Sequence, residues 1–276
     1  MSARIVTVEL RHWLAEQAQA GVPDSEVIDA MIASGWRRAE ARAALKESRL
    51  ESAPRSEPRA MPGPALHEAA HSIGDTDREV QVVIAMNEPR VVVFAGLLDA
   101  RECDELVALA RERLSRSQTV VMGTGGSEVN PARTSAGMFF ERGETPLVAR
   151  IEARIAALLR WPVENGEGLQ VLRYRPGEEY KPHYDYFDPA APGAAAILAR
   201  GGQRLASLVI CLEAPTRGGA TSFPDIGLEV MPVRGNAVFF SYDRAHPDTR
   251  TLHGGAPVVE GEKWVATKWL REGRFD

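Results

Sequence analysis

The sequence predicts a mainly β domain with added helices: a double-sheet barrel buttressed on one face by helices, preceded by a small three-helix module. Three observations carry this. Beyond residue 79 the chain is a succession of short apolar segments of strand length, separated by Gly and Pro. Two helical segments fall early in that region. The first 50 residues show helical spacing only, and a proline-rich stretch follows them.

The elements follow in order. Residues 8–18 have helical periodicity. Pro23-Asp24-Ser25 offers capping chemistry for a helix over 26–34. Gly35-Trp36 interrupts, and 38–45 resumes. The run Met31–Trp36 with Ala41, Ala44 and Leu45 resembles ubiquitin-associated-type modules. Residues 1–50 are therefore read as a packed appendage or a module that docks a protein partner. Pro54, Pro58, Pro62 and Pro64 mark 51–78 as an extended linker. His67 and His71 are four apart, as a helical metal pair would be. They lack a nearby carboxylate or thiol pattern and are read as solvated. The domain proper spans 79–276. Strands are predicted over 80–85, 90–94, 170–174, 205–212, 237–242 and 263–270. Helices are predicted over 99–114, capped by Asp99, and 148–159.

Composition narrows the function. Of 276 residues, 44% are hydrophobic and 26% charged, with a net charge of −5. That balance suits a soluble globular chain and disfavours nucleic acid as a partner. No apolar run reaches the length of a membrane span, and the N-terminus lacks the apolar core of a signal peptide. The cysteines, Cys103 and Cys211, are too few for a zinc or disulfide framework and read as reduced core thiols. The expected compartment is the cytoplasm.

The chemistry concentrates in VLRYRPGEEYKPHYDYFDP, residues 171–189. His183 and Asp185 are two apart, so on an extended strand both point to one face. A single metal could take both. The third ligand is sought among the remaining histidines, and His246 and His253 follow in the chain. His253 is preferred because Gly254 and Gly255 permit close approach, whereas His246 sits in a turn-like stretch beside Pro247. Two histidines and one carboxylate leave positions open, as at non-haem Fe(II) centres; a closed zinc site would fill them. Lys263 stands ten residues after His253. The chain has only four lysines, at 46, 181, 263 and 268, so this offset carries weight. A dicarboxylate chelating iron at one end needs a cation at the other, and lysine supplies one on a long stem. In KWVATKWL, Lys263, Val265, Thr267 and Trp269 share one strand face.

Taken together and in order, ARTSAGMF (132–139), LRYRPGEEYKPHYDYF (172–187), GGQRLASLVICLE (201–213), GGATSFPDIGLEVMPVRGNAVFF (218–240) and the His253-to-Lys263 tail resemble the prolyl 4-hydroxylase branch of the 2-oxoglutarate/Fe(II) dioxygenases. The resemblance runs from about residue 80 to 275. It implies a double-stranded β-helix of jelly-roll or cupin type. It implies Fe(II), 2-oxoglutarate and O₂, with ascorbate as a reductant. His183, Asp185 and His253 match the iron ligands. Lys263 matches the residue holding the far carboxylate of 2-oxoglutarate, Thr221 a hydroxyl on that carboxylate, and Tyr174 a tyrosine of the same pocket. Tyr180, Arg204 and Trp269 match positions lining a peptide groove. Arg133 matches a position near a substrate-covering loop, here the glycine-bearing stretch 121–135. The family often has Glu where Ala220 stands. The implied reaction couples decarboxylation of 2-oxoglutarate to hydroxylation of an unactivated C–H, and the carboxylate of Asp185 favours hydroxylation over halogenation. The expected substrate is a prolyl residue, hydroxylated at C4, in a peptide or protein. A free amino acid or other small molecule is the alternative. An inactive binding or sensor protein is the alternative of another class, which the intact triad and Lys263 oppose.

Overall fold

The computed structural model describes residues 10, 13–14, 16–17, 20–52, 60–66, 72–73, 77–116, 118–120, 127–129 and 134–276. His67, His71, Arg133, Pro54, Pro58 and most of the 121–135 stretch lie outside the described residues. The chain divides into two compact units, Met1–Arg59 and Ala60–Asp276.

In the first unit Leu10, Trp13, Leu14, Glu16 and Gln17 are helical, followed by α1 (Asp24–Ala33) and α2 (Arg38–Ser52). Pro23 is the N-cap of α1 and no side chain caps it, so the helix starts earlier than expected and Asp24 lies in its first turn. Gly35 ends the turn at φ +88°, and the Trp36 amide donates back to the Met31 carbonyl at 3.1 Å. Leu14, Val27, Ile28, Met31, Ala41 and Leu45 form this unit's own core.

The second unit is built on a nine-stranded antiparallel sheet. Its main strands are β1 (Val80–Met86), β2 (Arg90–Ala95), β3 (Ala136–Phe140), β4 (Leu169–Tyr174), β6 (Arg204–Glu213), β9 (Ala237–Ser241) and β11 (Lys263–Arg271). They lie side by side in the order β1-β2-β9-β6-β11-β4-β3, with two-residue strands at either edge. A four-stranded sheet faces it: β5 (Tyr180–His183), β7 (Thr221–Phe223), β8 (Leu228–Val230) and β10 (His253–Gly255), ordered β8-β7-β10-β5. This is the expected double-sheet jelly roll with helices on one face, and among the described residues its two sheets are not joined into a closed ring. Among the described residues no ladder of hydrogen bonds joins the two sheets. Side chains meet between them instead: Val91, Val238 and Phe240 from the large sheet pack with Phe223 from the small one.

The outer face of the large sheet carries α3 (Ala100–Arg111) and α4 (Pro146–Leu159). Asp99 caps α3 as the sequence predicts, completing a reciprocal capping box with Glu102. Leu106, Ile151, Ile155 and Leu158 pack on Trp264, Ala266 and Leu270, the outward residues of β11. Strand β11 lies between β4 and β6, which is why all nine of its residues are buried.

Part of the expected linker packs on this unit. Pro62 and Pro64 are buried, the Gly63 amide donates to the Leu159 carbonyl at 2.8 Å, and Leu66 rests on the main core. A chain starting at residue 60 is thus expected to melt within a few degrees of the full protein's second unit. A chain starting at residue 76 loses that hydrogen bond and the apolar cover. It should melt roughly 5–10 °C lower, from about 2–3 kcal/mol of lost burial and hydrogen bonding. Calorimetry on the two fragments checks this; equal melting temperatures would return 60–66 to the status of linker.

Candidate active site

The site begins with one cross-strand pair. Strands β5 and β10 run antiparallel with His183 directly opposite His253, 70 positions apart in sequence, and their ring centroids lie 4.3 Å apart. The sequence that allows this is His253-Gly254: a Cβ on Gly254 would stand 2.8 Å from the Tyr180 carbonyl oxygen, too close for any side chain. Gly255 has no such contact, its nearest neighbour being 3.8 Å away.

Asp185 reaches the pair from just beyond β5. The strand ends at His183, so the two residues are not successive same-face positions of one strand, as the spacing suggests. A bend delivers the carboxylate instead. His183 Nε2 lies 3.5 Å from Asp185 Oδ1, and His253 Nε2 lies 3.5 Å from Asp185 Oδ2. One ligand atom from each of the three residues falls within 4.8 Å of the others. Both imidazoles engage Nδ1 with the carbonyl two residues before them, Lys181 at 2.9 Å and Thr251 at 3.0 Å. That contact turns each Nε2 toward the centre, the arrangement a metal-bound imidazole needs. Asp185 and His253 are buried and His183 is half-buried. His246, the other candidate, accepts the Asp248 amide at its own helix cap and stands outside the cluster.

Protonation suits a metal. Burial pushes the Asp185 carboxyl up, but His253, His183 and the Arg204 guanidinium outweigh it and hold it well below the ordinary carboxylate range. Burial lowers His253 to about 4, so its Nε2 is a free lone pair at neutral pH. Two imidazole nitrogens and a carboxylate with further positions open fit Fe(II) and do not close a zinc shell.

Lys263 pairs in register with Tyr174 across β11 and β4. Its Nζ lies 5.7 Å from the Tyr174 ring and 4.0 Å from where a Cβ on Gly255 would sit, two residues beyond His253. Lys263 and Thr221 both line a cavity of about 40 Å³ between the sheets, with Val209, Cys211 and Val238. The buried Lys263 ammonium makes no hydrogen bond or ion pair with the described residues.

Residues 169–271 match the 2OG-Fe(II) oxygenase superfamily. Prolyl 4-hydroxylase 2 of Arabidopsis thaliana is 41% identical over 213 residues, 69% of this chain and 70% of that protein. Prolyl 4-hydroxylase 1 of the same plant is 41% identical over 202 residues, 67% of this chain and 69% of that one. The chain belongs to the prolyl 4-hydroxylase-like 2OG-Fe(II) oxygenases. A solved viral collagen prolyl hydroxylase of Paramecium bursaria Chlorella virus-1, in its 2OG complex, superposes with a TM-score of 0.50 at 31% identity, covering 66% of this chain and 95% of that one. This oxygenase is accordingly a 2-oxoglutarate-dependent dioxygenase using Fe(II).

The structure places the oxygenase's remaining sequence-predicted residues as follows. The Tyr180 ring stacks on His183, centroids 3.7 Å apart. Arg204 is buried, with Nε 2.6 Å and Nη2 2.8 Å from the Glu167 carboxylate. Its guanidinium covers the Trp269 ring at 4.0 Å and its Nη1 reaches the Asp185 carbonyl at 3.4 Å. The Trp269 Nε1 is buried without a hydrogen-bond partner among the described residues, and its ring leans toward Phe139, which is 48% exposed. Sequence reasoning missed Glu167, Ser207, Phe139 and Tyr242. Ser207 alternates in β6 with buried apolar residues, so a lone hydroxyl on that face was the available signal.

A buried ammonium without a counter-charge among the described residues is costly. Burial lowers Lys263 to about 8 from an ordinary 10.5. The folded state therefore holds that proton less tightly than the unfolded state. The penalty is complete below pH 8 and fades as pH rises to 10.5. Lys263→Met should stabilise the ligand-free protein at pH 7 by up to about 3 kcal/mol, the equivalent of that shift. The gain should vanish above pH 10.5. Thermal melts of both forms across pH check it; a variant no more stable at pH 7 would show that the ammonium is already compensated.

Proposed function

We propose that this oxygenase hydroxylates C4 of a prolyl residue in a peptide or protein, with iron held by His183, Asp185 and His253. One observation carries the reading. An N,N,O donor set and a buried ammonium lie between the same two sheets, the Lys263 Nζ standing 4.0 Å from the Cβ position of Gly255, two residues beyond His253. The prolyl substrate is supported by the relatives, which are named prolyl 4-hydroxylases. It is also supported by the Tyr180 ring stacked on His183 and by the Trp269 ring, which lies under the Arg204 guanidinium and next to Phe139.

When bound, Fe(II) with 2-oxoglutarate and O₂ supplies the oxidation: succinate and CO₂ leave, and one oxygen atom enters the substrate C–H bond. The chain supplies position and charge. Lys263 holds the far carboxylate of 2-oxoglutarate, with the Thr221 hydroxyl and the Tyr174 ring beside it. Neutral His253 and ionised Asp185 present lone pairs without first shedding protons. Tyr180 and Trp269 border the substrate ring, and Arg204, anchored by Glu167, holds the Trp269 plane. Arg133 is proposed to border the substrate from the 121–135 stretch, on the family resemblance alone. The same resemblance supports ascorbate as reductant. Residues 1–50 are proposed to dock a protein partner. Among the described residues no helix is long and apolar enough to cross a membrane; with two free cysteines, a cytoplasmic setting is proposed.

His253→Ala should lose the anaerobic charge-transfer absorption of Fe(II) with 2-oxoglutarate; an undiminished band removes His253 from the site. Succinate release should rise with proline-containing peptides and stay at background with free amino acids. Turnover of free amino acids alone would overturn the peptide reading.

Lys263→Ala should weaken 2-oxoglutarate by roughly two to three decades while sparing iron. In the wild type, affinity for 2-oxoglutarate should fall as pH rises past about 8, because Lys263 must then regain a proton to bind. In the variant that decline should be absent. Titration of the absorption band against pH reads both; an unchanged constant in the variant would remove Lys263 from the pocket.

A further inference from the structure

Asp185 has two oxygens, and an iron centre that must also take a bidentate cosubstrate and O₂ has room for one. We infer that Ser207 and Tyr242 form a hydrogen-bonded brace that reserves Oδ2 of Asp185 and makes it a one-oxygen ligand. The inference rests on the iron assignment proposed above.

The observations are direct. Ser207 Oγ lies 2.5 Å from Asp185 Oδ2, and the Tyr242 hydroxyl lies 3.1 Å from Ser207 Oγ. Ser207 is fully buried and Tyr242 nearly so. Direction follows from donor arithmetic. An ionised carboxylate only accepts, so Ser207 must donate its one proton to Asp185. Its lone pair is then left to accept from Tyr242. Burial pushes the Tyr242 phenol well above its ordinary value, so it keeps the proton it donates. The order is Tyr242 O–H to Ser207 Oγ, then Ser207 O–H to Asp185 Oδ2.

The brace is built into the large sheet. Ser207 stands opposite Phe240 on β9 and opposite Trp269 on β11, so its backbone is fixed from both sides. Tyr242 follows β9, its amide bonded to the Leu205 carbonyl at 2.9 Å, and its ring packs with Tyr186 and Phe240. A rigid sheet therefore sets the rotation of a carboxylate that arrives on a bend. Asp185 has no ladder bonds of its own to do so. Ser207 and Tyr242 act through Asp185 and are positioning residues. Partners of this kind typically change metal affinity by roughly 10–100-fold when removed.

The test is anaerobic calorimetric titration with Fe(II) alone on the full chain. Asp185→Ala is run first as the control for the iron assignment. Binding that survives in that variant fails the assignment itself and not the brace. Given a metal-binding wild type, Ser207→Ala should weaken Fe(II) by roughly 10–100-fold. Ser207→Thr, which restores the hydroxyl, should recover most of the loss, and Ser207→Cys, similar in size but a weak donor, should not. Tyr242→Phe keeps the ring and removes only the outer proton; it should cost roughly three- to tenfold. It carries the test by itself if the Ser207 variants do not fold. Unchanged affinity in Ser207→Ala, equal losses in the Ala and Thr variants, or wild-type affinity in Tyr242→Phe would each overturn the proposal.

Discussion

A carboxylate buried between two sheets stays ionised only if cations, dipoles or a metal surround it. Asp185 is that carboxylate, and much of the site can be read as its surroundings. Two imidazoles face its two oxygens, a serine hydroxyl donates to one of them, and the Arg204 guanidinium supports its carbonyl. Arg204 is itself buried and needs a counter-charge, which Glu167 supplies through two short contacts. Glu167 in turn meets Arg271 at 3.3 Å. The requirement for balanced charge thus runs from the centre of the site to the far end of β11.

The sheet topology determines which residues can answer that requirement. His183 and His253 meet because β5 and β10 are neighbours in the small sheet. Ser207 and Trp269 meet because β6 and β11 are neighbours in the large one. None of these pairs is local in sequence. The helices on the outer face contribute no donor to the triad; they bury the outward residues of the large sheet and so hold its inner face in register.

Legibility in the sequence followed the same division. His183, Asp185, His253 and Lys263 could be singled out because histidine and lysine are scarce in this chain and their spacing is informative. Six of the seven main strands of the large sheet were predicted to within a residue or two, because apolar runs bounded by Gly and Pro mark buried strands well; β3, Ala136–Phe140, was missed. Less visible were features set by three-dimensional pairing. Ser207 is an ordinary hydroxyl until Asp185 is placed beside it, and Glu167 is one acid among many until Arg204 faces it. The two-sheet jelly roll with helices on one face was legible; whether the sheet edges join was not, because strand patterns report which residues are buried and not how edges pair. Residues 60–66 read as linker from their prolines; a proline-rich segment can pack tightly when its few remaining amides find partners, as Gly63 does.

The two lysines of β11 differ in how their charge is met. Lys268 points to the helices, is almost wholly buried, and is closed off by Glu152 of α4 and the Glu167 carbonyl. Its ammonium has a carboxylate and a carbonyl as acceptors inside the fold. Lys263, five residues earlier on the opposite face, is buried to a similar degree and has no such counter-charge among the described residues. Its neighbours are a phenol ring, a thiol and aliphatic walls. Folding alone would favour the arrangement of Lys268 in both places, because an unpaired buried charge costs stability. A chain that leaves Lys263 uncompensated carries a destabilising group, which accords with the anion proposed to bind there. An anion that fits between Lys263 and the triad then gains in binding what the fold gave up in stability.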